Sequence, residues 1–525
     1  MPLSDDLLDR LDLQSAVNLE LSMSNRLMPR RPDRLALAAK AAQVKHLLRN
    51  KFQKDEIGSA ADLIFVDKNR RGRRPISEMG LPDRVLFRAL VSLIATAMPK
   101  NIVNRMPNED FRKWPLSVEG ARYVSKTDVT SYYEYVDHGL LGSELEAQTG
   151  EAPAIDALMS LLERVMGRKM GLPQVHKSSD ILGDVYIDVV RRKLLRAGFD
   201  VVTFSDDFRI ATPSLSQARR ALESCAREVR SLGLTLNESK TFTYTRGNYQ
   251  ASLDAFTIAE ERLFDTDGDA DNVARLLFAE GYTDETTADT ETARTLSAAS
   301  PRAVAEEDVL ETTDVSSPAD VEPQQVIAAK RAWQVWDAER RLEETQPTRD
   351  AAITESLLAR ALPILGRSGF REPLRELSLL LRSEPALSPQ ICEYIIELGN
   401  TGPSARTAIR RTLDELVVER SFSTWQKVWI AEAAGTIRAA RNHHSHYDWL
   451  EKCVRESEAS LAATSAAALG RLGRISSEIV TPALDRVGPE WRSLVFWAIA
   501  VDDADLAREV AEDRLERLIL QAVTS

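Results

Sequence analysis

The chain has 525 residues, 43% of them hydrophobic and 28% charged, too long for one core and consistent with two to four globular domains. Its net charge of −12 is uneven: residues 1–250 carry 38 Lys/Arg against 32 Asp/Glu and the remainder 30 against 48, so a polyanionic partner suits the first half and not the second. No apolar run reaches about 18 residues, which excludes a membrane-spanning helix. Cys225, Cys392 and Cys453 are too scattered for a disulfide framework, and the acidic N-terminus shows no leader pattern, so a reducing cytoplasm is expected.

Residues 1–118 read mostly as helices. "DRLALAAKAAQVKHLLRNKF" has apolar residues at helical spacing, and "DKNRRGRRPISEMGLPDRVLFRALVSLIATAMP" reads as a basic turn followed by an amphipathic helix that starts near Pro82. Residues 119–260 alternate strands and helices. "ARYVSKTDVTSYYEYV" is a strand running into a helix, and "SSDILGDVYIDVVRRKLLRAG" is a long helix ended by Gly198. "FDVVTFSDDFRIAT" is a hairpin, "SLSQARRALESCAREVRSLG" a helix ended by Gly233, and "LTLNESKTFTYTRG" a last strand. Helices between antiparallel strands predict an α+β palm-like domain. Residues 261–324 are acidic, poor in aromatics from Gly281 on, and read as a solvated linker or insert. Residues 325–525 read as helix pairs in units of roughly 35–45 residues, the pattern of HEAT-like repeats.

The chemistry concentrates in the first half. Asp206 and Asp207 in "TFSDDFRI" are adjacent acids between apolar residues, and half-burying two like charges is costly unless a cation meets them. A solvated turn is the plainer reading of such a pair taken alone. Asp128, at the end of a β-prone run, is either a helix cap or a third acid facing the same ions. Mg²⁺ favours a few carboxylates plus substrate phosphates, and two such ions clamp the attacking and leaving oxygens of a phosphoryl transfer. The turn "GLPQ" opens the long helix, with Ser178 or Ser179 as candidate cap, and Lys240 follows the second helix.

These segments, in this order within about 115 residues, resemble the reverse transcriptase family. "TDVTSYYEYVDHGLL" resembles its motif A, "GLPQVHKSSDILGDVYI" motif B, "TFSDDFRI" motif C and "GLTLNESKT" motif D, while "DKNRRGRRPISEMGLPDRVLFRAL" resembles the finger motifs. The resemblance covers roughly residues 45–255 and implies fingers and palm; the all-α HEAT-like repeats follow them. It implies Asp128, Asp206 and Asp207 as the catalytic acids holding two Mg²⁺ (or Mn²⁺), with a backbone carbonyl from Val129. Tyr133 falls at the sugar gate that favours dNTPs, Gln174 in the nucleotide pocket, Arg74 and Lys68 at the phosphates, and Lys240 at the triphosphate or the leaving pyrophosphate. Two departures stand out: Phe204 replaces the usual Tyr of motif C, and Val175 stands where motif B usually has Gly.

"SSDILGDVYI", with the helical C-terminal half, resembles the abortive-infection and unknown-group branch of bacterial reverse transcriptases associated with defence. That branch implies anti-phage activity, DNA product extended from a protein hydroxyl and covalently attached, synthesis without a template in some members, and homo-oligomers. An RNA-templated enzyme using a dedicated noncoding RNA is the alternative. A cyclic-dinucleotide synthase and a non-catalytic helical scaffold are weaker readings. No primer residue is assigned; Tyr282, Tyr394 and Tyr447 are the tyrosines weighed, with Tyr394 read as core. "RNHHSHYDWL" (441–450) reads as a solvated inter-helix loop rather than a zinc site, and Trp333, Trp336, Trp425, Trp429 and Trp497 read as core.

Overall fold

The computed structural model describes residues 2–23, 26–68, 72–103, 105–254, 323–343, 352–440 and 442–524. The acidic segment expected at 261–324 lies outside them, apart from Pro323 and Gln324, which begin a helix. Tyr282 is outside them as well. Two compact units form, neither from a single stretch of chain: Met1–Glu20, Ala41–Leu63 and Ile76–Asp254 make the first, and Leu21–Lys40, Ile64–Pro75 and Ala255–Ser525 the second.

The N-terminal helices are α1 (Asp5–Arg10), α2 (Leu13–Ser22), α3 (Pro32–Ala38) and α4 (Ala41–Gln53). A hairpin of β1 (Asp62–Lys68) and β2 (Gly72–Glu78) follows, where the sequence led us to expect only a basic turn. The "DLIFV" run hid it: Ile64 and Val66 are buried while Leu63 and Phe65 point outward, so apolar side chains fill both faces and the polar half of the strand alternation is missing.

In the first unit, α5 (Leu81–Thr96), α6 (Lys100–Val103) and α7 (Asn108–Ser117) lead to β3 (Tyr123–Asp128). After a single 3₁₀ turn, Tyr132–Glu134, come α8 (His138–Thr149), α9 (Ala152–Met166) and α10 (Lys177–Arg196). The hairpin β4 (Asp200–Phe204) and β5 (Asp207–Thr212), then α11 (Leu215–Ser231) and β6 (Phe242–Thr245), complete the domain. The sheet runs β4-β5-β3-β6, antiparallel throughout. Helix α10 packs on β4, and α11 on β3 and β5, through Ala218, Ala221, Cys225 and Val229, one helical face of small buried side chains. Gly198 and Gly233 stop these helices as the sequence implied, both with positive φ. Helix α10 is not capped by Ser178 or Ser179. His176 does it, its Nδ1 accepting the Ser178 N–H at 3.2 Å.

The second unit is a double row of helices. One row is α12 (Pro323–Glu343), α13 (Ala352–Arg367), α15 (Ser388–Asn400), α17 (Thr424–Thr436), α19 (Ala459–Leu472), α21 (Pro489–Asp502) and α23 (Arg514–Thr524), each packed on the next. The other is α14 (Glu372–Ser383), α16 (Pro403–Leu416), α18 (Ser445–Glu456), α20 (Ser477–Arg486) and α22 (Ala504–Val510). Glycines let backbones meet along the first row. A Cβ on Gly366 would lie 2.7 Å from the Tyr394 carbonyl, one on Gly435 2.5 Å from the Ala468 Cα, and one on Gly470 2.7 Å from the Ala498 carbonyl.

N-terminal segments belong to this unit. Arg31 pairs with Asp33 at 2.8 Å and lies 4.8 Å over the Trp491 ring, and Trp425 donates to the Leu27 carbonyl at 2.5 Å. Ser423 donates to Asp67, in the hairpin, at 2.5 Å. Trp333, Trp336 and Trp425 are buried, and Trp429 and Trp497 half-buried. The three cysteines are buried and form no disulfide. Among the described residues no helix is long and apolar enough to cross a membrane.

Candidate active site

Strand pairing brings the acids together. In the β3–β5 ladder Asp128 sits directly opposite Asp207, and Asp206 occupies the turn that joins β4 to β5. The Val129 N–H donates to the Asp206 carbonyl at 3.2 Å, and Val129 bridges to Leu236, so the chain after Asp128 is held on both sides. Burial, then repulsion from Asp128 and Asp207, pushes the Asp206 carboxyl well above the ordinary range. Two cations meet the acids: Lys240, whose Nζ lies 3.2 Å from Asp128 Oδ2, and Arg209, 3.4 Å from Asp207 Oδ1; Lys240 is shifted by them. Burial works against its charge, but Asp128 foremost, with Asp206 and Asp207, outweighs this and raises it. Crowded carboxylates that repel each other are a donor set suited to divalent ions.

Tyr133 stands on the 3₁₀ turn after β3. Its hydroxyl meets Asp180 Oδ1 at 2.9 Å and Ser205 Oγ at 2.7 Å. Beneath it Tyr132 is fully buried and donates to the Gly183 carbonyl at 2.5 Å. The turn before α10 is tied to the same segment: Leu172 N–H donates to the Tyr133 carbonyl at 2.7 Å, and Gln174 Nε2 to Glu134 at 3.0 Å. Val175 has φ +63°, in the left-handed region where a β-branched residue is strained and glycine is not. That is why Gly is the natural residue there. Ser131 and Ser205 also have positive φ, so three of the four such non-glycine residues among those described flank this site.

Phe204 does have a partner. The Arg105 guanidinium lies 4.5 Å above its ring and Phe111 is 5.5 Å away, so an aromatic without a hydroxyl suits the position. The sequence reading missed Arg105, Asp184, Ser205 and Arg209. Arg105 grips Asp184 at 2.8 Å through two nitrogens, and Arg209 approaches Asp207 at 3.4 Å. An Asp-x-x-x-Asp spacing on α10 was the available signal, since it puts Asp180 and Asp184 on one face.

Residues 66–275 match the family described as reverse transcriptase (RNA-dependent DNA polymerase). The chain carries a reverse transcriptase domain. The match indicates an enzyme of the RNA-directed DNA polymerase class of nucleotidyltransferases, whose domains generally use divalent metal ions and act on nucleotides and nucleic acid. A comparison with curated proteins found no match. In this reverse transcriptase domain Asp128, Asp206, Asp207, Val129, Tyr133, Gln174 and Lys240 all lie in the first unit. Lys68, at the end of β1, and Arg74, in β2, belong to the second.

A second group of metal-capable side chains, all in the second unit, corrects the reading of 441–450 as a solvated loop. His446 is 1% exposed, and His444 and His446 converge on Asp414, thirty residues upstream, at 2.7 and 2.6 Å. The three ligand atoms lie within 4.8 Å of one another. The Asp414 carboxylate also accepts from Ser445 Oγ and the His446 N–H, so it staples the start of α18 to the last turn of α16. Two tyrosines weighed as primers are buried and engaged: Tyr394 donates to the Phe370 carbonyl at 2.8 Å, and Tyr447 Oη accepts the Ala440 N–H at 3.0 Å.

Proposed function

We propose that this protein is a DNA-synthesising reverse transcriptase of the defence-associated bacterial branch, adding dNTPs to a growing strand in anti-phage immunity. The observation that carries the polymerase reading is the register of β3 against β5, with Asp128 opposite Asp207 and Asp206 in the adjoining turn. Asp128 and Asp206, with Asp207, would hold two Mg²⁺ or Mn²⁺, aided by the Val129 carbonyl; when bound, such ions supply charge stabilisation to the attacking and leaving oxygens. Lys240 neutralises Asp128 until substrate arrives and is free to turn toward phosphate. The Tyr133 ring closes the pocket against a ribose 2′-OH and Gln174 lines the nucleotide site; the family resemblance assigns Arg74 and Lys68 to the phosphates.

The branch assignment rests on "SSDIL" at 178–182 and on the helical second unit, which we read as HEAT-like repeats that assemble the chain into homo-oligomers. With it we propose protein-primed synthesis that leaves DNA joined to the chain, without a template as in some members of that branch. The domain limits at 118, 260 and 324 remain our reading of the fingers, palm, insert and array. Asp206→Asn keeps the side-chain volume and removes a ligand charge, so it should abolish nucleotide incorporation with native circular dichroism. Incorporation retained by the folded variant would overturn the polymerase reading. DNA that leaves the denatured, protease-digested protein cleanly would overturn self-priming and favour copying of a noncoding RNA.

A further inference from the structure

A ring that excludes one hydroxyl from a pocket works only if it cannot swing aside. Tyrosine has two side-chain torsions and one polar handle, and here that handle has two partners. The Tyr133 hydroxyl carries a single hydrogen. Asp180 Oδ1, 2.9 Å away, accepts it, which leaves Ser205 Oγ–H, 2.7 Å away, to donate in return. Burial, with Asp180 next, holds the phenol far above its ordinary ionisation range, so the proton stays in place.

The partners are themselves fixed. Asp180 and Asp184 are one helical turn apart on α10 and face the same way. Asp184 Oδ1 accepts the Ser205 N–H at 3.2 Å, which secures the residue at φ +53° between Phe204 and Asp206. Arg105 clamps Asp184 through both carboxylate oxygens at 2.8 Å and reaches the Asp180 carbonyl at 3.4 Å. The frame therefore runs from one face of α10 through the catalytic turn to the ring.

We propose that Asp180 is a positioning residue for the Tyr133 ring and thereby a determinant of sugar selectivity, acting together with Ser205. This rests on the reading of Tyr133 as the sugar gate. Selectivity on this account depends on anchoring the ring as well as on its bulk.

The test measures kcat/KM for one dNTP and the matching rNTP on the full chain. Asp180→Ala should raise the rNTP-to-dNTP ratio about tenfold, the worth of a hydrogen bond to a charged acceptor. Asp180→Asn, whose Oδ1 still accepts, should restore most of the discrimination. Tyr133→Phe keeps the ring and loses the handle, so it should shift the ratio as Asp180→Ala does, and adding Asp180→Ala to it should change nothing further. General loosening of the pocket would lower both sugars alike. If Tyr133→Ala raises the ratio while Asp180→Ala leaves it unchanged, or if Asp180→Ala acts equally in the Tyr133→Phe background, the inference is wrong and the gate stands. If Tyr133→Ala leaves the ratio unchanged, the gate reading falls and the inference with it. If the wild-type chain incorporates neither sugar with Mg²⁺ or Mn²⁺, the polymerase reading falls first.

Discussion

Glu20→Gln is a one-atom change with a large expected cost. The Glu20 carboxylate is 0% exposed and meets Arg84 Nε at 2.7 Å on one oxygen, and Arg88 Nε at 2.5 Å and His176 Nε2 at 3.0 Å on the other. Burial pushes this acid up, but Arg84, His176 and Arg88 together hold it well below the usual carboxylate range. His176 Nδ1 accepts from Ser178, so its proton is on Nε2 and points at Glu20. All the neighbours are donors. A glutamine keeps one acceptor and turns an N–H against either Arg84 or the Arg88–His176 side. Breaking a buried charge pair costs about 3–5 kcal/mol, and a unit of this size loses about 2–4 °C per kcal/mol. The expected fall in the unfolding midpoint of the first unit is therefore roughly 6–20 °C. Thermal and urea unfolding measure it. The charge contributes stability above the ordinary glutamate range and loses it as pH falls through the lowered folded value, so the gap between wild type and variant should close in acid. A variant within about 1 kcal/mol of wild type at neutral pH would refute the reasoning.

Lys240→Met removes the ammonium beside Asp128. Incorporation should drop, and added Mg²⁺ should raise the melting temperature of the variant more than that of wild type, because Asp128 loses its ammonium partner; equal Mg²⁺ shifts would refute this. Asp414 is subject to burial, which raises it, but the His444 and His446 bonds prevail and hold it at about 2, while burial lowers His446 from 6.5. Both groups bind protons more readily unfolded, so the second unit should lose stability as pH falls from about 6.5 toward 2. Asp414→Asn should flatten the lower part of that profile, below about pH 4, and an unchanged acid limb in pH-dependent unfolding would contradict the staple.

The palm was legible because its signals are local. β-prone runs, the stop glycines and the order of the acids need no distant partner to be read, and the strands and helix ends fell where the sequence implied, although the run after Asp128 makes a 3₁₀ turn and not the expected helix. What escaped depends on residues far apart in the chain. Asp414 lies thirty positions before His444, Glu20 lies 156 before His176, and no periodicity links either pair. The cap of α10 went to a histidine because a buried glutamate orders that ring, which a rule based on Ser and Thr does not anticipate. Arg31 and Asp67 bond within the helical unit although the sequence around them looks like part of an N-terminal domain. Val175 was visible as an oddity, and only its φ explains it.

The glycines of the helical row bear on how that row handles force. Side chains between helices act as padding: they rotate, and a small displacement dies out within a turn or two. At Gly366, Gly435 and Gly470 the padding is gone and backbone rests on backbone. At those three contacts a helix cannot move toward its neighbour without displacing it, as with slats laid edge to edge. From α17 to α21 backbone meets backbone at two consecutive steps, whereas between α15 and α17 the Ile437 side chain lies against Gly399, so the row has least room to change its spacing at its C-terminal end and keeps a side chain able to rotate at the step before it.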